Sequence, residues 1–214
     1  MKLDAGEKEF FDEVSMLITE TRKNIAVIQR IEDSFCLIAI NKWQEAIVCA
    51  FEYFQAIDDE KERLKNDALR NFRRAYFDSS FVLVDTYIDY VRQSLRAYNA
   101  LLSGVLFNRL LGFEYRRYGD NVVKSLGDMI QSSIKVRELI KSNKLEYGKM
   151  PVRLIEELGK VRGEIESSIE VCKTFREHVG RLFKKRRKLG RLFYLLIVEI
   201  IIALFLFMGW KVFF

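Results

Sequence analysis

The sequence predicts an all-α protein: a cytoplasmic helical bundle, a C-terminal heptad-patterned stalk and one C-terminal transmembrane helix. Three observations predict it. One proline and 11 glycines in 214 residues favour long helices over a turn-rich β fold. Apolar residues recur at three- and four-residue spacing, and period-2 alternation is absent. From Leu192 to Trp210 runs an apolar stretch of 19 residues holding one charge, Glu199. A helix of that length rises about 29 Å, close to the roughly 30 Å hydrocarbon core of a bilayer.

Residues 5–31 carry an apolar stripe of Phe10, Val14, Leu17, Ile28 and Ile31, interrupted by the polar Asn24. Glu32-Asp33-Ser34 supplies a break and an N-cap. Residues 35–57 form the next helix, with Phe35, Ile38, Trp43, Ile47, Phe51 and Phe54 toward its apolar side. Asp58-Asp59-Glu60 caps a helix that carries Leu64, Leu69, Phe72 and Tyr76. Asp78-Ser79-Ser80 either caps a further helix or lies inside one long helix. The apolar stretch from Phe81 to Phe113 is interrupted by Asp85, Asp89, Arg92, Arg96 and Arg109, so it reads as core helices and not as a second span. Tyr118-Gly119-Asp120-Asn121 is a turn signal, after which 121–146 resume helical spacing with Val123, Leu126, Ile130 and Ile140. Gly148 and Pro151 mark a boundary. The expected organisation is a bundle over 1–148, an amphipathic stalk over 149–188 and an anchor over 189–214.

Leu154, Leu158, Val161, Ile165, Ser168, Cys172, Phe175, Val179 and Leu182 are spaced alternately by four and three, an unbroken heptad register. The apolar members, Leu154, Leu158, Val161, Ile165, Phe175, Val179 and Leu182, are the candidate residues for self- or partner-association. The spacing leaves open whether they pair within the chain, as one more core face, or between chains. Gly180 and Gly190 are candidate flexible points in the helix.

Half the residues are hydrophobic and 31% are charged, which excludes disorder by composition. The formal net charge is +6, and it is local. Arg181, Lys184, Lys185, Arg186, Arg187, Lys188 and Arg191 fall just before the apolar run with no acidic residue among them. An excess of Lys and Arg beside a span marks its cytoplasmic side. These seven are the candidate lipid-headgroup contacts, each contributing on the order of 1 kcal/mol of attraction to an anionic surface. The expected partners are thus an anionic membrane surface and a protein or a second copy of the chain, with nucleic acid not expected. The N-terminal MKLDAGEKEF has acids where a signal peptide needs an apolar core, so no cleaved signal is expected.

Catalytic signals are sparse. Cys36, Cys49 and Cys172 form no CxxC pair and are expected to be reduced. His178 is the only histidine, too few for a zinc or di-iron set, so no metal or cofactor is expected. No glycine-rich phosphate loop is present. Lys173-Thr174-Phe175-Arg176-Glu177-His178 resembles the Arg-to-His motif of the HEPN nucleases, with Lys173 where that family has arginine. The resemblance implies a helical ribonuclease acting through Lys173 and His178, yet a lysine does not reproduce the forked guanidinium contact to phosphate. Heptads before a C-terminal span also resemble the SNARE family in outline. Gly148 and Pro151 interrupt the required register, and no Gln or Arg layer sits in the heptad core.

Within the apolar run, Glu199 is the chemical oddity. A carboxylate at bilayer depth costs a few kcal/mol and usually faces a partner helix or water. Ala203, one turn on, permits close helix approach. Glu199 and Ala203 are therefore the candidate transmembrane association or pore residues, and Tyr194 and Trp210 the interfacial aromatic anchors. Together these readings predict a tail-anchored, single-pass, non-enzymatic scaffold or adaptor with its N-terminal domain in the cytoplasm. The alternatives are an oligomeric pore-forming effector and, after it, a membrane-tethered ribonuclease.

Overall fold

The structure, a computed structural model, describes residues 5–32, 36–56, 58–102, 113–143 and 152–213, with side chains, apart from some at helix ends, as far as Ala203. Among the described residues five helices follow in order: α1 (Ala5–Glu32), α2 (Leu37–Gln55), α3 (Asp58–Leu102), α4 (Phe113–Asn143) and α5 (Val152–Phe213). Among the described residues there is no strand, so the fold is all-α. The chain divides into two compact units. Unit 1 holds Met1–Gln93 and Val123–Cys172, and unit 2 holds Ser94–Val122 and Lys173–Phe214. The segment 149–188, set apart by its heptads as a stalk, contributes to both.

The core of unit 1 is built where the periodicity placed it. Phe10, Val14, Leu17, Val27 and Ile28 of α1 are buried, as are Leu64, Phe72, Tyr76, Leu83, Tyr87 and Val91 of α3. Asn24, the polar interruption, is buried for a reason. Its amide Nδ2 donates to the hydroxyls of Ser79 at 3.0 Å and Ser80 at 2.9 Å. Both serines donate to the carbonyl of Tyr76 at 2.8 Å, so Asp78-Ser79-Ser80 lies inside one 45-residue helix and caps nothing. Arg162 of α5 donates from Nη1 to Glu20 Oε2 at 2.6 Å and to Asn24 Oδ1 at 3.4 Å. Tyr76 Oη donates to the carbonyl of Ile155 at 3.3 Å. One polar network thus ties α1, α3 and α5 in a single register, since sliding any helix by one residue strands its polar groups in the core.

Two sequence expectations are corrected. On α2 the buried side is Ala39, Ala46 and Tyr53, while Ile38, Ile47, Val48, Phe51 and Phe54 are exposed. Small alanines let α2 approach its neighbours closely, which turns the bulky apolar side outward. Phe10 meets Tyr53 of the buried side at 5.2 Å, and Phe11 stacks on Phe54 at 5.5 Å, which partly covers one end of the outer side. Phe35 lies outside the described residues, as do Gly148 and Pro151.

The second correction concerns Tyr118-Gly119-Asp120-Asn121, which is no turn but part of α4. Gly119 is there for closeness. A Cβ at that position would lie 2.1 Å from the hydroxyl of Tyr98. Unit 2 is organised around that contact: Tyr98 is buried against Gly119 and against the ring of Phe175 at 5.3 Å, and Leu101 packs on Leu182 with Phe183 and Leu189 alongside.

The heptad stripe lies in these cores. Leu154, Leu158, Ile165, Ser168 and Cys172 are buried in unit 1, with Val161 half-buried, and Phe175, Val179 and Leu182 are buried in unit 2. Of the two pairings the spacing left open, the burial of these side chains fits the one within the chain. Ser168 serves here by donating to the carbonyl of Ile165 at 2.7 Å, which satisfies its hydroxyl in an apolar setting.

Candidate membrane interface

The strongest feature outside the cores is the C-terminal half of α5. The helix runs unbroken through Gly180 and Gly190, both placed in open space where an added Cβ would meet nothing within 4 Å. Arg181, Lys184, Lys185, Arg187, Lys188 and Arg191 are exposed. Arg186 is the exception. Its Nη1 donates to the carbonyls of Ala100 at 3.2 Å and Leu101 at 3.4 Å, in the last turn of α3. A guanidinium placed there meets the negative end of the helix dipole. Arg186 is thus engaged at the α3 terminus.

Beyond Arg191 the helix turns apolar on every side. Leu192, Phe193, Tyr194, Leu195, Leu196, Ile197, Ile200, Ile201 and Ile202 are all about half or more exposed. Glu199 and Ala203 are exposed as well, one turn apart. A helix apolar all round is expected in a protein core or a bilayer. Among the described residues no helix is long and apolar enough to cross a membrane. The described side chains stop at Ala203, and residues 204–210 of the expected span, with Trp210, lie outside them.

Lys173 and His178, the pair in the nuclease-like motif, are both half-buried on α5. Five residues apart, they are separated by roughly 140° around the helix and do not converge on one point. The His178 ring packs on Tyr118 with centroids 5.0 Å apart. Burial, and after it the positive charge of Arg181, lowers the His178 pKa from 6.5. A base whose folded pKa is depressed adds stability above its unfolded pKa and loses it as pH falls through that value. The melting midpoint is therefore expected to be lower at about pH 5.5 than at about pH 7.5, with a smaller drop in His178→Gln. An equal drop in both proteins removes His178 as the cause.

The sequence singled out the collar and Glu199 but not the diversion of Arg186, because a contact across 85 residues leaves no local signal. It marked Gly180 and Gly190 as candidate flexible points, whereas the helix runs unbroken through both. No family model, curated protein or solved structure matches this chain.

Proposed function

We propose that the chain is a membrane-anchored, non-enzymatic helical scaffold. The apolar end of α5 inserts in a bilayer, the basic collar sits on its cytoplasmic face, and the helical units hold a protein partner at that surface. One observation carries the reading: α5 continues without interruption from buried core positions, through a basic run, into a segment whose apolar side chains face outward on all sides. In water that exposure forfeits on the order of 1 kcal/mol for each half-exposed large apolar side chain. In lipid it forfeits nothing. The outward apolar side of α2, with Ile47, Val48 and Phe51, supports the scaffolding half, since contiguous apolar surface marks association sites.

The test is alkaline carbonate extraction of membranes from expressing cells. The full-length chain is expected in the pellet. Ile200→Arg/Ile201→Arg is expected in the supernatant, because each arginine at that depth opposes insertion by about 3 kcal/mol. Equal partition of both proteins rejects the anchor.

Glu199 and Ala203, exposed one turn apart on the apolar helix, favour a second reading in which the anchors associate with one another. It predicts a defined oligomer for the full-length chain in detergent and a smaller one for Glu199→Leu. A pore further requires ion leakage that Glu199→Leu abolishes. A monomer in both proteins ends this reading.

A further inference from the structure

A groove opens on one side of α5, lined by Arg187, Gly190, Arg191, Tyr194 and Leu195. Their spacing of three and four residues places them along a single helical stripe. Gly190 leaves the backbone bare there, and an added Cβ would meet nothing within 4 Å. Among the described residues neither Arg187 nor Arg191 has an acidic partner, whereas Arg186 is held by the end of α3. The chemistry changes in order along the groove: two guanidiniums, then a phenol, then an aliphatic side chain. That order matches a phospholipid read from phosphate to acyl chain. Guanidinium forks take phosphate oxygens in paired, charge-assisted hydrogen bonds. Tyrosine favours the level of the glycerol esters, where an apolar ring and a polar hydroxyl are both served. The bare backbone at Gly190 lets the headgroup approach the helix.

We propose that this groove holds one anionic phospholipid, its phosphate between Arg187 and Arg191 and its upper acyl chain along Leu195. The proposal rests on the membrane-anchored reading and adds a stoichiometric site on one face of the collar. It differs from diffuse attraction, in which every exposed cation counts alike. A nucleic acid satisfies the arginines but leaves Leu195 unused, and so does free phosphate.

The test is native mass spectrometry of the full-length chain in neutral detergent, titrated with dioleoyl phosphatidic acid, dioleoyl phosphatidylcholine or inorganic phosphate. One phosphatidic acid per chain is expected to bind saturably, with phosphatidylcholine weaker. Arg187→Gln/Arg191→Gln is expected to weaken it about tenfold, the scale of one or two lost charge-assisted bonds. Gly190→Leu, which fills the groove without a steric clash, is expected to do the same. Arg181→Gln/Lys185→Gln removes the same charge at the same spacing from another side of α5 and is expected to weaken binding several-fold less than the Arg187/Arg191 pair does, through loss of the collar's general attraction alone. Equal weakening by the two charge pairs overturns the site. So does competition by inorganic phosphate or by a single-stranded RNA oligonucleotide as effective as that of the lipid. Carbonate extraction of the same proteins separates the two claims. Variants that stay in the pellet yet lose the lipid support the site. A wild-type chain that is extracted rejects the anchor, and the site with it.

Discussion

Replacing Arg162 by leucine is expected to destabilise unit 1 by about 2 kcal/mol, less than for a fully buried ion pair because this one is part-buried. Arg162 and Glu20 are only 12% and 16% exposed, and their 2.6 Å contact joins α5 to α1. Without the guanidinium, among the described residues Glu20 keeps only Lys23 of its own helix at 2.7 Å, and the Asn24 carbonyl oxygen loses a donor in the core. Denaturant unfolding should show the loss, and Glu20→Gln/Arg162→Leu should recover part of it, because the stranded charge is gone. A single variant as stable as the wild type would remove the network from the fold's support. The pH dependence follows with a definite sign. Burial raises the Glu20 pKa, but the hydrogen bonds and charges of Lys23 and Arg162 outweigh it, and the net shift is downward from 4.5. A depressed carboxyl contributes stability above its unfolded pKa and loses it as pH falls through the folded value. Wild-type protein should therefore lose this support on acidification below about pH 4.5, and Glu20→Gln should not.

Gly119→Leu is expected to open unit 2. Even the first carbon would stand 2.1 Å from Oη, 2.5 Å from Cζ and 2.8 Å from Cε2 of Tyr98. Tyr98 is 2% exposed and its ring is backed by Phe175, so it has no free direction to retreat. Overpacking of this kind costs about 2 kcal/mol or more. Hydrogen exchange should speed up at amides 94–102 and 173–189, while amides 10–30 of unit 1 hold their protection. Unchanged exchange at 94–102 would mean that the Gly119 contact does not organise unit 2.

The helices were legible wherever an apolar stripe repeats at helical spacing, as in α1, the first half of α3 and the heptads of α5. What misled was local chemistry with a long-range cause. Gly119 in a Tyr-Gly-Asp-Asn sequence reads as a turn, yet glycine is required there by a tyrosine 21 residues earlier. Ile47, Phe51 and Phe54 read as core, yet the two alanines decide which side of α2 is covered. Asn24 read as a flaw in a stripe, and only the fold brings Ser79 and Ser80 to it. The same holds for the site. A run of seven cations is visible in the sequence, but which of them is taken by a helix end is not. Arg186 and Arg187 are neighbours in the chain with different work, because adjacent residues on a helix point to different sides.

Cysteine accessibility in sealed vesicles tests the anchor most directly. Single cysteines are placed at Lys188, Leu196 and Ala203 in a chain whose three native cysteines are replaced by alanine, and labelled with a membrane-impermeant maleimide. The position at Lys188, exposed in the collar, should label in intact vesicles, with the helical units on the outer face. Leu196 and Ala203 should label only after the bilayer is dissolved. Labelling of Ala203 in intact vesicles at the rate seen for Lys188 would show that the apolar end of α5 stays in water and would contradict the anchor.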